Sequence, residues 1–456
     1  MAGIGFELRK LMAKDDITGF LKAYTYAAVI GAGPWALSII GMGLIGALNL
    51  TSTTPLRYLV EFQATVSYTV MASLCLTSVL QLSFTRYIAD RLFERSLEEV
   101  VPLFHGALFV TTMLSGSVAM IVMLTLFPAQ SAFYKLIGIS GFVIASNVWI
   151  AVILLSGMRQ YVAIIWLFLI GYGLSALAAI TLRDLGLEGV LFGFVLGQLV
   201  LLVGAVGLVI RSFPAKRFIS FEFLTDGKLF RSLVLVGLFY NCAVWVDKLM
   251  FWHFPDTSYA VIGPLRASPI YDFPVFLAHL TLIPGMAVFL MRMETDFVEH
   301  YERFYDMVRS GGTLETIEKL RNEMTRSVRD GIYELSKIQI LSGIALALAA
   351  PTMLEFLGAS PLSLPVLYVA IVAAGLQTVI MGILNVLRYF DQRRDAMIIT
   401  GTLFATNAVF TLASLQFGPR YYGVGFTLAL LVSCTLAFYL LDRRIERLEY
   451  ETFMLQ

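Results

Sequence analysis

The chain has 456 residues, of which 58% are apolar and 14% charged, and its formal net charge is +1. Ordinary soluble domains carry about 25% charged residues, so a water-soluble fold of this length cannot hide so much apolar surface. Cys75, Cys242 and Cys434 all lie inside apolar runs, which argues against a disulfide framework or a zinc site. The composition predicts an all-α polytopic membrane protein.

The N-terminus combines a mixed-charge stretch with a long apolar run. Residues 1–22 place their apolar side chains on one helical face and predict a short helix lying in the cytoplasmic interface. The following run is too long for a signal-peptide core of roughly 7–15 residues. It contains Gly31, Gly33 and Pro34, and a mid-span proline frees a backbone carbonyl. This segment predicts either a hinge between inward- and outward-facing states or a static kink.

Apolar runs of about 20 residues, long enough to cross a bilayer, recur along the whole chain. They lie near 23–48, 59–85, 103–127, 136–156, 161–182, 188–210, 232–254, 272–291, 338–357, 364–387, 396–417 and 422–441. The sequence therefore predicts about twelve transmembrane helices.

Lysine and arginine are distributed unevenly between the predicted loops. With the N-terminus in the cytoplasm, 27 of the 33 Lys and Arg residues fall in inside segments and 5 in outside loops. One missed span would move every later loop to the opposite side and destroy this asymmetry. The charge pattern therefore predicts an even number of spans with both termini in the cytoplasm.

The predicted spans divide into six plus six at the basic loop 211–231. This division predicts an N-terminal lobe over 23–210, a C-terminal lobe over 232–441 and a cytoplasmic tail over 442–456. Each half returns the chain to its starting side, so any repeat between the halves would be parallel.

The longest break between spans, 292–337, lies inside the C-terminal lobe. Phe297, Tyr301, Phe304, Leu320 and Met324 follow helical spacing and predict two short amphipathic cytoplasmic helices. Acidic residues outnumber basic ones between 293 and 331, which does not favour a lipid-headgroup site. These five side chains are predicted either to dock a partner protein or to pack the insert on its own bundle.

The motifs of several enzyme and channel classes are absent. Residues 226–229 (DGKL) lack the upstream glycine and the Ser or Thr of a nucleotide-binding loop. No segment between spans is long enough for a glycosyltransferase or kinase fold, and no selectivity-filter repeat appears. The four histidines show no metal-ligand spacing. Transport is predicted rather than catalysis, with no cofactor, metal or nucleic acid.

The seventh span carries the most prominent candidate residues for transport, because charges within a span are costly. Asp247 lies about 15 residues into the span, roughly 22 Å deep at 1.5 Å per residue, in the outer half of the bilayer. Asp247 and Lys248 point about 100° apart, and we expect that they do not pair with each other. With Tyr240, Asn241 and Trp245 they predict a polar, aromatic wall of a substrate path. The alternative is that Asp247 pairs with a basic residue of another helix.

Four residues of other spans extend this predicted path. Glu61 and Gln63 lie near the outer end of the second span, where Glu61 can instead pair with Arg57 at headgroup level. Asn147 in the fourth span and Tyr172 in the fifth place polar or aromatic groups at membrane depth. Core packing is the alternative for both.

The opening MAGIGFELRKL, the Gly33-Pro34-Trp35 break and the segment WVDK at 245–248 resemble the PelG family over the whole length. This family is the inner-membrane component of the Pel exopolysaccharide export machinery of Gram-negative biofilm bacteria. The resemblance implies the superfamily of multidrug, oligosaccharidyl-lipid and polysaccharide flippases, with two six-helix lobes around a central cavity. It also implies a substrate rich in N-acetylgalactosamine and a location in the bacterial inner membrane.

The same resemblance implies partners: a cytosolic glycosyltransferase and further inner-membrane Pel subunits, one of which binds cyclic di-GMP. Three functions are open at this point. The first is export of a polysaccharide, driven by polymer extension or an ion gradient. The second is an ion-coupled antiporter of drugs or lipid-linked oligosaccharides, with Asp247 as the central carboxylate. The third is a membrane scaffold that recruits the glycosyltransferase.

Overall fold

The computed structural model describes residues 24, 27–28, 38, 41–45, 56–158, 160–225, 230–356 and 358–454. The predicted interfacial helix at 1–22 and the hinge residues Gly31, Gly33 and Pro34 lie outside these ranges. The described part is built from helices and one two-stranded antiparallel sheet. An all-α membrane architecture is confirmed.

From Leu56 onward, seven α-helices of the described residues precede the sheet. They are α1 (Leu56–Phe93), α2 (Val100–Leu126), α3 (Ala132–Gly157), α4 (Tyr161–Thr181), α5 (Leu187–Ser212), the short α6 (Glu222–Thr225) and α7 (Arg231–His253). The hairpin consists of β1 (Tyr259–Ile262) and β2 (Leu265–Ala267). The helices that follow are α8 (Pro269–Leu280), α9 (Leu282–Met291), α10 (Phe297–Arg309), α11 (Leu314–Phe356), α12 (Ser363–Tyr389), α13 (Arg393–Phe417) and α14 (Val424–Met454). A π-helical turn, Arg292–Asp296, joins α9 to α10.

Eleven helical segments of the described ranges are long and apolar enough to cross a membrane. They coincide with the second to twelfth predicted spans. The first predicted span, 23–48, lies mostly outside the described ranges, so the count of twelve stays a prediction.

The insert at 292–337 is not a separate module between two spans. α10 continues the eighth span through the π-helical turn, and α11 runs without a break from Leu314 through the ninth span to Phe356. Helices cover both amphipathic stretches, but each is an extension of a membrane helix. The two extensions are therefore held in place by the spans that they prolong.

The eighth span is interrupted between α8 and α9. Pro284 has no N–H to donate to the carbonyl of Leu280, which weakens the helix at this point. The Thr281 hydroxyl donates to the carbonyl oxygen of Ala278 at 2.7 Å and accepts from Gln339 Nε2 of α11 at 2.9 Å. Neighbouring side chains thus supply hydrogen bonds at a break inside an apolar segment, as a membrane helix requires.

The described residues form two compact units. The N-terminal unit contains the described residues from 38 to Trp245 together with Ser258–Ala267, and the C-terminal unit contains Val246–Thr257 and the described residues from Ser268 onward. Tyr24 and residues 27–28 also belong to the C-terminal unit. The sequence prediction divided the lobes in the loop 211–231, whereas this division falls inside α7.

Close backbone packing of α4 against α5 stabilises the N-terminal unit. Gly189, Gly193 and Gly197 recur every four residues along α5. A Cβ at Gly193 would lie 2.5 Å from the Ala179 nitrogen, and one at Gly197 would lie 2.2 Å from the Gly171 oxygen. Only residues without a side chain allow this approach, which is the packing mode that membrane helices use in place of hydrophobic collapse.

Substituting Gly193 with alanine tests this packing. The added Cβ meets the backbone of α4, so the two helices must separate, and we expect the free energy of unfolding to fall by about 1–3 kcal/mol. Gly207→Ala on the same helix is the matched control, because a Cβ there meets no atom within 4 Å and alanine favours helix. Thermal unfolding of the detergent-solubilised protein measures both, and equal midpoints for the two variants would contradict the packing argument.

Candidate functional site

A fully buried carboxylate lies near the end of α7, in the C-terminal unit. Asp247 has 0% exposure, and its Oδ2 accepts a hydrogen bond of 2.5 Å from the Tyr271 hydroxyl of α8. The ammonium of Lys248 lies 3.3 Å from the same oxygen. The second oxygen, Oδ1, has no hydrogen-bond partner among the described residues. Asp247 therefore keeps one acceptor site open in an environment where an unpaired charge is costly.

The contact of Asp247 with Lys248 contradicts the expectation that these neighbours do not pair. Their Cα–Cβ bonds diverge, but the four-carbon stem of lysine is flexible enough to fold back. The ammonium also lies 5.4 Å from the centre of the Phe426 ring. The pair is nearly dehydrated, since Asp247 and Lys248 side chains are 0% and 12% exposed. The predicted alternative, a basic partner from another helix, does not describe this contact either.

A second carboxylate, Asp272, completes the group and was missed in the sequence. The indole N–H of Trp252 donates to both of its oxygens, at 2.8 and 2.9 Å, and the backbone N–H of Ser268 donates at 3.1 Å. Ser268 precedes the first residue of α8, so the Asp272 side chain reaches back to a backbone N–H at the helix start. The signal was the Ser-Pro-Ile-Tyr-Asp opening of α8, which is typical of a helix N-terminus.

Aromatic rings fix the position of the Tyr271 hydroxyl. The Phe251 and Tyr271 rings stack with centroids 3.7 Å apart and an interplanar angle of 3°, and the Tyr422 ring meets Phe251 edge-on at 5.3 Å. These rings belong to the buried apolar core of the C-terminal unit. The hydroxyl therefore has little freedom to leave Asp247.

The donors and the positive charge around these carboxylates do not suit a metal ion. Trp252, Tyr271 and Ser268 contribute donors, and Lys248 contributes a positive charge, whereas a hard cation such as Ca²⁺ requires six or more oxygen ligands. Within the described ranges, no group of three His, Cys, Asp or Glu residues can hold a metal. Buried ionisable groups of this kind mark proton relays and substrate paths in membrane proteins.

The other predicted path residues of α7 lie in the N-terminal unit. Tyr240, Asn241 and Trp245 are half-buried, and the Asn241 amide donates to the Gly237 carbonyl oxygen at 3.1 Å, one turn earlier on its own helix. The structure therefore does not bring these three residues into the Asp247 group.

Glu61 and Gln63 do not share a face of α1. The Glu61 side chain is buried and accepts from Arg57 Nε at 2.6 Å, which is the ion pair that the sequence left open as an alternative. Gln63 is exposed.

Asn147 and Tyr172 both lie in the interior of the N-terminal unit. The Asn147 amide donates to Thr112 Oγ1 and to the Val143 carbonyl oxygen, both at 2.9 Å, while its Oδ1 has no described partner. The Tyr172 ring lies 6.2 Å from the ring of Phe168 and 6.2 Å from another buried phenylalanine ring. Both residues contribute to helix packing.

Three of the five predicted docking residues are not available as a surface. Phe297, Phe304 and Met324 are fully or almost fully buried, whereas Tyr301 and Leu320 are half-buried. The prediction of docking is therefore corrected for Phe297, Phe304 and Met324, because their apolar side chains pack inside the protein. For Tyr301 and Leu320 it stays a prediction.

Comparisons with known proteins place this geometry in a family and a fold. The sequence matches one family model over residues 1–453, described as "PelG: Putative exopolysaccharide Exporter (EPS-E)". No curated protein matches the sequence significantly.

Solved structures of MATE transporters share the fold. An outward-facing multidrug resistance MATE transporter of the MOP superfamily aligns with a TM-score of 0.64 at 15% identity, covering 93% of this chain and 96% of that chain. An inward-facing multidrug resistance MATE transporter aligns with a TM-score of 0.61 at 15% identity, covering 90% of this chain and 95% of that chain. A mutant of the Vibrio cholerae MATE transporter VcmN aligns with a TM-score of 0.64 at 12% identity, covering 97% of this chain and 98% of that chain.

The family model covers nearly the whole chain, and the fold is that of multi-pass membrane transporters. The protein is therefore a membrane transporter that belongs to the PelG family.

Proposed function

We propose that this protein exports an exopolysaccharide across the bacterial inner membrane. The observation that carries the proposal is the PelG family match over residues 1–453, on a fold shared with MATE transporters. The cargo is a Pel-like, N-acetylgalactosamine-rich glycan, supplied by a cytosolic glycosyltransferase. Further inner-membrane Pel subunits, including a cyclic di-GMP receptor, complete the machinery.

The polar outer faces of α10 and α11 suit a role in recruiting the glycosyltransferase. Their apolar faces are used internally, so a cytosolic partner meets charged side chains. Arg303 and Arg309 are 58% and 66% exposed, and each pairs only with an acidic residue of its own helix. Such exposed pairs contribute little to stability, so these arginines can be exchanged without unfolding the protein.

Reversing the charges of Arg303 and Arg309 to glutamate tests recruitment and export together. We expect less glycosyltransferase to copurify from membranes and less polymer to be secreted, because electrostatic complementarity at an interface is lost. Arg420→Glu is the matched control, since Arg420 is exposed in a predicted outer loop.

Deleting the whole chain separates export from scaffolding. If the chain is an exporter, its deletion leaves the glycosyltransferase active and traps the polymer inside the cell. Labelling of intracellular and secreted hexosamine measures this outcome. Loss of polymer synthesis, with the enzyme released from the membrane, would instead support the scaffold. Secretion that continues without the chain would rule out the export function.

A second candidate is proton-coupled transport, supported by the open oxygen of the buried Asp247. The groups that face it are Lys248 on α7 and Tyr271, Asp272 and His279 on α8. Protonation of Asp247 would neutralise its charge and weaken its attraction for Lys248. This change offers a way to link proton binding to a movement of α7.

Asp247→Asn tests proton coupling with a side chain of the same shape. We expect polymer secretion to fall at least tenfold, because the variant removes the buried charge that attracts Lys248. Asp184→Asn serves as the control, because Asp184 is exposed in a predicted outer loop. Unchanged secretion by Asp247→Asn would exclude proton coupling through this residue and favour polymer extension as the driving force.

A further inference from the structure

The π-helical turn at the end of the eighth span directs charged side chains toward two different neighbours. Residues Arg292–Asp296 form this turn between α9 and α10. Arg292 reaches α11, where it meets Glu334, and Glu294 reaches α12, where it meets Asn385 and Tyr389. Single π-helical turns inside α-helices are frequent at functional sites, because the extra residue changes the direction of side chains.

On one side of the turn, Arg292 is bonded to two carboxylates. Its guanidinium donates to the two oxygens of Glu334 at 2.6 and 2.7 Å and to Asp296 at 2.6 Å. A bidentate pair of this kind is strong and geometrically specific. Arg292 therefore anchors the turn to α11 and uses three of its five N–H donors in these contacts.

The Glu294 side is open to further hydrogen bonds. Its Oε1 accepts from the Asn385 amide at 3.0 Å and its Oε2 accepts from the Tyr389 hydroxyl at 3.0 Å. Each carboxylate oxygen can accept about two hydrogen bonds, so these neutral donors use roughly half of the capacity. Glu294 forms no ion pair with the described residues, and its side chain is half-buried.

Tyr389 contacts this carboxylate, and two further tyrosines follow from it in a row. Tyr301 donates to the Tyr389 carbonyl oxygen at 3.0 Å, and its ring centroid lies 5.6 Å from that of Tyr389 and 4.6 Å from that of Tyr305. All three side chains are half-buried, so each presents part of its ring outward. Tyrosine combines an apolar ring with a polar hydroxyl, which suits a ligand that has an apolar face and polar edges.

We propose that Glu294, Asn385 and Tyr389 form a glycan-binding site, with Tyr301 and Tyr305 as rings on which a sugar stacks. The site lies at the end of the bundle that the positive-inside pattern assigns to the cytoplasm, where a polymer made in the cytosol must enter. This inference rests on the proposed export function. The ligand class is a hexosamine oligosaccharide that donates hydrogen bonds from hydroxyl, amide or amine groups.

The negative charge of Glu294 also defines what the site rejects. A polymer of uronic acids carries a carboxylate on each sugar and is repelled by an ionised glutamate that has no cationic partner in the described residues. Hexosamines carry no such charge. The site therefore discriminates between glycans by their charge.

Binding to the full chain in lipid nanodiscs tests the site directly. The probes are an N-acetylglucosamine tetramer, its de-N-acetylated counterpart and a galacturonic acid tetramer, titrated by calorimetry. We expect both hexosamine tetramers to bind and the uronate to fail. Glu294→Gln should weaken hexosamine binding about tenfold by removing a charge-assisted hydrogen bond. Tyr389→Phe should weaken it severalfold.

Controls separate recognition from folding. Glu302→Gln changes an exposed carboxylate of α10 and should leave binding unchanged. The thermal midpoint of Glu294→Gln should stay close to that of the unmodified chain, because glutamine still accepts a hydrogen bond. Unchanged hexosamine binding in a folded Glu294→Gln variant would overturn the site, and so would equal binding of the uronate.

The proposed function can fail separately from this site. Cells that carry Glu294→Gln and secrete polymer at the normal rate would show that export does not use the site. Cells that lack the chain and still secrete polymer would show that export does not need the protein, even if the nanodisc protein binds hexosamines.

Discussion

The hydrogen bond from Tyr271 to Asp247 joins α7 to α8 inside the C-terminal unit, and Tyr271 belongs to the buried apolar core of that unit. An ionised carboxylate in an apolar interior is stable only if donors and a counter-charge compensate for its lost hydration. Here the counter-charge is the adjacent Lys248, and the donor is held by ring stacking against Phe251. Because Oδ1 has no described partner, the compensation is incomplete. Asp247 therefore keeps an unsatisfied acceptor inside the C-terminal unit.

The membrane class and most spans were predictable because apolar length is a strong and local signal. Sequence reasoning failed where a contact depends on the fold or on the conformation of a long side chain. Asp272 is the first residue of the predicted span 272–291, and only the fold brings Trp252 of α7 to it. Lys248 was judged by the direction of its Cβ, although a long flexible side chain can turn back to Asp247.

The insert shows a different limit of sequence reasoning. Helical periodicity in Phe297, Phe304 and Met324 revealed an apolar face, but periodicity cannot tell whether that face meets a partner or its own chain. The burial of these three side chains shows that the apolar face packs against its own chain. The π-helical turn at Arg292–Asp296 was also invisible, because an inserted residue leaves no mark on composition or hydropathy. The function of Glu294 depends on that turn, so the site could not be found before the fold.

The eighth span connects the two carboxylate groups of the C-terminal unit. Asp272 and Glu294 are 22 residues apart, or about 33 Å along a continuous helix, which is close to the ~30 Å thickness of the hydrocarbon core. The break at Thr281 lies between them, where Gln339 of α11 supplies a hydrogen bond. A straight helix would transmit a displacement from one end to the other, whereas a broken one lets its halves tilt separately. A displacement of α8 therefore reaches α9 only if the hydrogen bond between Thr281 and Gln339 persists while α8 moves. This hydrogen bond holds the break between α8 and α9 against α11.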